Sequence, residues 1–364
     1  MRVTTTADIV DLIDASFPSA ALGAALELGL FWMIDERPRS APEIAAALGI
    51  PPARCAYWLQ LLEQAGLLEQ GPEGFAASAA ARTAIVQAFS RETWAFLALE
   101  ARERLPVLVD LALSIRDGGP LPPSLRAPRP GYVEMMSADA GRARRFTRML
   151  EELHRPLAEE LARRIDARGV TRVLDLGGGS GVVSLALARR NPGLAAVVVD
   201  IPAVCEAGRE IATANGLADQ VTYQPADILQ DELPRPFGLA IMCDVGVYSE
   251  RLFRRVAAVM DRDARFVIAD VFAPAPGMAP PSRVHWLFER SLSEPRFAIE
   301  TAGDVEAMLQ AAGYRVLSRE TLDPPGSEAG HGDLLTILCA ALTDGEPRPA
   351  IGDAEAPWCG HPSG

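Results

Sequence analysis

Apolar and polar positions along the chain fall into two regimes that meet near residue 166. Before it the spacing is helical. Residues 21–34 (ALGAALELGLFWMI) are apolar on every side, which predicts one deeply buried helix, within its domain or between subunits. In SAPEIAAALG, Ser40 and Glu43 form a capping-box pair and Gly49 can close the helix. Cys55, Trp58, Leu59 and Leu62 follow at i, i+3, i+4 and i+7, a second helix. LLEQGPEGFAAS then reads as two short strands around a Gly-Pro turn. The helical spacing resumes over 91–166, broken by the Pro/Gly-rich stretch 117–131, which is read as a loop. From Val170 the pattern changes. Wholly apolar runs (TRVLDL, AAVVVD, VTYQ, FGLAIM, RFVIADVF) alternate with helical segments, and YRVLSRET and DLLTILCAAL come late. Strand–helix alternation with apolar strands predicts a parallel, doubly wound sheet.

The domain expectations follow. A winged helix occupies 1–90, a helical connector with substrate-covering helices 91–166, and the α/β domain 167–343. Residues 344–364 lack periodicity and are expected to be disordered. A winged helix raises DNA binding as a function. Its second helix offers Arg54, Gln60, Glu63 and Gln64, which is no basic face, and the net charge of −13 argues further against nucleic acid. Dimerisation is the alternative role. A regulator that uses the second domain to sense a ligand is the reading from another functional class.

Composition narrows the chemistry. All 35 basic residues are arginine, so a lysine Schiff base and a Walker A loop are both excluded. Five scattered cysteines and four scattered histidines have no metal-ligand spacing, and no metal is expected. No single apolar run reaches membrane-spanning length, and the first residues lack a signal-peptide pattern. The chain is therefore expected to be cytoplasmic, with no membrane partner.

The most informative stretch is VLDLGGGSGVV, 173–183. A glycine turn between a strand and a helix brings backbone N–H groups against a ligand. Asp200 ends the next strand, where a carboxylate can accept both hydroxyls of a ribose. The glycines are spaced Gly177-x-Gly179-x-Gly181, and Val182 stands where a dinucleotide fingerprint wants its close-packing glycine. A nucleoside without a pyrophosphate, such as S-adenosylmethionine (SAM), is the better fit.

VLDLGGGSG, VVVDIPAV and PADIL resemble successive motifs of the class I SAM-dependent methyltransferases. Over residues 10–342 the chain resembles the two-domain small-molecule O-methyltransferases of plant phenolic and bacterial polyketide pathways, in which a winged helix dimerises a Rossmann-like α/β domain. The resemblance implies a homodimer that binds SAM and releases S-adenosylhomocysteine (SAH). It assigns Gly177, Gly179 and Gly181 to the methionine part, Asp200 to the ribose, Ile201 to the adenine face, Asp227 to the adenine amino group and Ile228 to its ring. Met149, Phe146 and Trp286 then become candidates for lining an apolar acceptor pocket.

The resemblance breaks at the base. The family removes the acceptor's proton with a histidine after the fourth strand of its sheet; here that region reads CDVGVYSERLF. One alignment puts Cys243 at the vacated position. The ungapped one, which we favour, puts Val247 there, followed by Tyr248. Asp270 keeps the family's acidic residue, whereas Ala302 replaces a glutamate that supports the histidine. Three explanations stand open. The acceptor atom can be a carbon, a nitrogen or an acidic oxygen that needs little base; His285, Tyr248, Asp244 or Cys243 can act instead; or the SAM pocket serves rearrangement, hydroxylation or decarboxylation.

Overall fold

The computed structural model describes residues 3–109, 111–116, 132–293, 297–323 and 334–343. The stretch 117–131 and the tail 344–364 lie outside the described residues. Two compact units form. The first takes residues up to 131 plus Arg148–Leu153; the second takes Tyr132–Thr147 and the chain from His154 onward. The connector expected over 91–166 thus divides between them, and the helix Ala140–Arg164 contributes to both.

In the first unit the helix expected over 21–34 is broken in two. Ser16–Leu28 and Leu30–Glu36 meet at Gly29, which adopts φ 74°. That left-handed conformation suits glycine, and a Cβ there would lie 2.3 Å from the Arg91 guanidinium carbon. Ala25, Leu30, Phe31 and Ile34 are buried within the unit, whereas Leu28 is 41% exposed in the single chain. One longer apolar stretch does occur across two helices. Thr6–Leu28 is long and apolar enough, by length and composition, to cross a bilayer. Two successive helices, Thr6–Asp14 and Ser16–Leu28, add up to this length although Asp14 and Glu27 interrupt any single apolar run.

The winged-helix pattern is observed. Ser40 and Glu43 form the capping box of the helix Ala41–Leu48, and Gly49 closes it in the left-handed conformation. The helix Pro52–Gln64 buries Cys55, Leu59 and Leu62, and the Trp58 indole N–H donates to the Ala21 carbonyl at 3.1 Å. Strands β1 (Leu68–Gly71) and β2 (Gly74–Ala77) pair antiparallel.

The second unit is a seven-stranded sheet of β3 (Arg172–Leu176), β4 (Ala195–Asp200), β5 (Val221–Pro225), β6 (Phe237–Cys243), β7 (Met260–Asp270), β8 (Tyr314–Leu322) and β9 (Leu335–Leu342). Their order is β5-β4-β3-β6-β7-β9-β8. Pleat alternation makes two cores. Val173, Leu239, Ile241 and Val267 join one, while Leu174, Ala240, Met242 and Phe266 join the other. Helices covering both faces explain why these strands read as continuous apolar runs.

The first five strands in this order are parallel, as expected. β9 pairs antiparallel with both β7 and β8. No helix was predicted between the last two strands, and without a crossover a strand returns antiparallel. The sheet is therefore mixed. Strand order reverses between β3 and β6, which opens a crevice at their C-terminal ends.

Candidate functional site

The crevice begins with the loop after β3. Gly177, Gly179 and Gly181 adopt φ of 62°, 57° and 72° and lead into the helix Val182–Arg190. Two of them are needed for packing. A Cβ on Gly177 would lie 3.0 Å from a Val245 methyl, and one on Gly181 would lie 2.4 Å from the Tyr223 hydroxyl. Gly179 differs, because a Cβ there would meet nothing within 4 Å. It presents bare backbone to open space.

Asp200 ends β4 beside this backbone and is 8% exposed. Its Oδ2 accepts the Gly179 N–H at 2.9 Å and its Oδ1 accepts the Ile201 N–H at 2.7 Å. Burial raises its pKa, and these two bonds oppose the rise. Each carboxylate oxygen keeps a further acceptor position. The pair is thus set for two neighbouring hydroxyl donors.

Behind the loop lies Asp175, 1% exposed. The Ser184 hydroxyl donates to its Oδ2 at 2.6 Å, while its Oδ1 has no hydrogen-bond partner. Burial raises its pKa to about 7.

Ile201 precedes the helix Pro202–Ala214. It packs with Phe146 against a small cluster of Met136, Ala143 and Val204. Phe146, expected in an acceptor pocket, therefore lies on the Ile201 side of the site. Its ring sits 5.7 Å from that of Tyr132. Tyr132, itself exposed, thereby borders the same corner. Asp227 follows β5 and is exposed. Its Oδ1 accepts the Leu229 N–H at 2.8 Å, forming a turn that holds the partly buried Ile228 against the second core.

The other half of the crevice lies at the ends of β6 and β7. Val245, which would meet a Cβ on Gly177, places the segment after β6 next to the glycine loop. Asp244 adopts φ 54°, and among the described residues it is the one non-glycine with positive φ. Its N–H donates to the Ala269 carbonyl at 2.9 Å. The Arg283 guanidinium pairs with Asp244 Oδ1 and reaches Asp270 Oδ1 at 3.2 Å. Tyr248 donates its hydroxyl to Asp270 Oδ2. His154, from the helix Ala140–Arg164, brings Nε2 to 3.8 Å from Asp244 Oδ2. Asp270 is 2% exposed, and burial followed by the Asp244 charge raises its pKa to about 6. A small open recess is lined by Gly246, Tyr248, Asp270, Phe272, Arg283 and Glu300.

The candidate bases are thereby sorted. Burial and neighbouring aspartates push the Cys243 thiol well above its ordinary pKa; it stays protonated and packs against the first core. Burial and Asp270 do the same to the Tyr248 phenol. Asp244 is engaged by Arg283. His285 is exposed on the helix Val284–Ser293. Trp286 on that helix packs edge-on to Phe297 at 5.4 Å. Met149 is buried and belongs to the first unit. His154, Arg283 and Tyr132 were missed by reading the sequence. No metal-binding group of histidine, cysteine and carboxylate residues occurs among the described residues.

Comparison with known proteins adds independent findings. A model described as an O-methyltransferase dimerisation domain matches residues 10–87, and one described as an O-methyltransferase domain matches residues 110–278. Together they cover more than half of the chain. A 3-hydroxy-5-methyl-1-naphthoate 3-O-methyltransferase of Streptomyces sahachiroi is 30% identical over 226 residues, which is 62% of this chain and 64% of that protein. The N,N-dimethyltransferase OxyT of Streptomyces rimosus is 26% identical over 329 residues, 88% of this chain and 94% of that one. Among solved structures, PigF with SAH superposes with a TM-score of 0.74 at 20% identity, covering 93% of this chain and 100% of PigF. At that identity the likeness is one of fold.

Proposed function

The chain belongs to the two-domain, SAM-dependent small-molecule O-methyltransferase family, and from that premise we propose that it methylates a small aromatic or polyketide-like metabolite, acting as a cytoplasmic homodimer. The observation that carries the reading is the Asp200 carboxylate, pinned by the Gly179 and Ile201 N–H groups beside a glycine with an open face.

These residues fit SAM. Gly179 leaves the room a methionine chain needs against backbone, with Gly177 and Gly181 fixing the turn around it. Asp200 would take the ribose hydroxyls. Ile201 and Ile228 would flank the adenine, and Asp227 would accept from its amino group. SAM supplies a methyl group on a cationic sulfur, and the methyltransferase leaves SAH. What the protein adds is alignment and exclusion of water. Arg283 serves alignment here by fastening the turn Pro281–Arg283 to the ends of β6 and β7.

The relatives differ in the acceptor atom they are named for. One is named for an oxygen and another for a nitrogen, so a shared fold accommodates both. The test is calorimetric titration with SAM and SAH, followed by label transfer from methyl-tritiated SAM to a panel of hydroxylated aromatics that includes 3-hydroxy-5-methyl-1-naphthoate. Micromolar binding of both ligands and label on an aromatic acceptor are expected. A folded protein that binds neither would overturn the proposal.

The homodimer rests on the N-terminal helices. Ile9, Ile13 and Phe17 lie at i, i+4 and i+8 and are 45%, 72% and 67% exposed. An apolar stripe of this kind marks an interaction surface, and the matched dimerisation domain begins at residue 10. Light scattering is expected to give twice the chain mass for the wild type and a monomer for Phe17→Asp. A monomeric wild type at micromolar concentration would remove the dimer.

A further inference from the structure

We propose that His154 is the general base of this enzyme, oriented by Asp244, and that it replaces the histidine missing after β6. The assignment rests on the transferase reading above.

Three observations converge on it. First, His154 is a histidine whose imidazole reaches the β6 end of the crevice, 3.8 Å from Asp244. It stands on the helix Ala140–Arg164, 90 residues before Asp244 in the chain. Its side chain is 35% exposed, open enough to meet an acceptor. Second, Asp244 holds a left-handed backbone, φ 54°, the one such non-glycine among the described residues. Such a conformation persists where the surroundings enforce it. Here the Ala269 carbonyl takes the Asp244 N–H, and Arg283 holds Oδ1. Oδ2 is left toward His154. Third, the rival groups are unsuited: the Cys243 and Tyr248 protons are held by burial, and His285 is exposed on its helix.

The chemistry is that of a carboxylate–imidazole pair. Nε2 turned to Asp244 carries the ring proton, which leaves the Nδ1 lone pair for the acceptor. A separation of 3.8 Å exceeds a hydrogen bond; such contacts commonly tighten when the site is loaded. The acceptor's O–H proton passes to Nδ1 as its oxygen forms the bond to the methyl carbon. The carbon–sulfur bond breaks with its electrons on sulfur, and the positive charge lost there reappears on the imidazolium beside Asp244. Among the described contacts, Asp244 faces the imidazole, and Asp244 is in turn paired with Arg283, which also reaches Asp270, the acceptor of the Tyr248 hydroxyl.

His154→Gln and Asp244→Asn test this with the panel acceptor that takes label fastest. His154→Gln is expected to bind SAM within twofold of the wild type and to lose at least about a hundredfold in kcat, the range of general-base catalysis. The wild-type rate should fall on the acid side, and that limb should vanish in His154→Gln. Asp244→Asn, a change at a positioning residue, should lower kcat less and displace the limb. A His154→Gln protein that binds SAM and keeps the wild-type kcat and acid limb overturns the assignment alone. A wild type that binds no SAM overturns the transferase reading and the assignment with it.

Discussion

Asp200→Ala is expected to weaken SAM and SAH to the same extent, by at least about a hundredfold, which corresponds to about 2.7 kcal/mol. Two hydroxyl-to-carboxylate hydrogen bonds would be lost, each worth about 1.5–3 kcal/mol. The carboxylate is nearly buried and needs no reorganisation, since Gly179 and Ile201 already hold both oxygens. The loss is equal for the two ligands because both present the same ribose. The fold should survive. Removing the side chain orphans two N–H groups, but it also removes a buried carboxylate whose pKa is raised by desolvation. Calorimetry with both ligands checks the prediction, and urea unfolding of the empty protein checks the fold. Wild-type affinity in the variant would detach Asp200 from the ligand.

Asp200 and the glycine loop were legible because their chemistry is local. A contiguous glycine turn must follow its strand, and a carboxylate at the end of the next parallel strand must lie beside it. The winged helix was legible for the same reason, through the Ser40–Glu43 box and the apolar spacing from Cys55. What escaped depends on contacts between distant segments. His154 and Asp244 are joined only when a long helix meets the end of β6, and no spacing rule spans that distance. In 283–285, residue type drew attention to His285, yet the short turn Pro281–Arg283 directs the arginine inward and leaves the histidine exposed. Tyr132 is silent in sequence because what marks it is the Phe146 ring, on another helix. The break at Gly29 did carry a signal. A glycine after a helical run is a common helix C-cap, but the apolar residues on both sides concealed it.

Asp175 is expected to give a large pH effect on stability. Its carboxyl has an ordinary pKa of 3.8 and rises to about 7 in the folded protein because burial penalises the charged form. The folded state therefore binds more protons than the unfolded state between these values. Stability must then fall as pH rises through that window. A shift of about three units amounts to roughly 4 kcal/mol, fully expressed above the folded pKa. Asp270, raised to about 6, adds a term of the same sign, so the wild-type curve alone does not isolate Asp175. Asp175→Asn does. An asparagine can still accept from Ser184, but its amide would point an N–H group to where Oδ1 now lacks a partner. Part of the shift is already expressed at pH 5, so between pH 5 and pH 8 the variant should gain roughly 2–3 kcal/mol relative to the wild type. Urea midpoints of the sheet unit, taken from pH 5 to 8, measure this difference. Parallel curves for the two proteins would mean that Asp175 titrates alike in the folded and unfolded chain. Its orphan oxygen would then have to be satisfied by the glycine loop, since a Cβ on Gly178 would lie only 2.4 Å from the Asp175 carboxyl carbon.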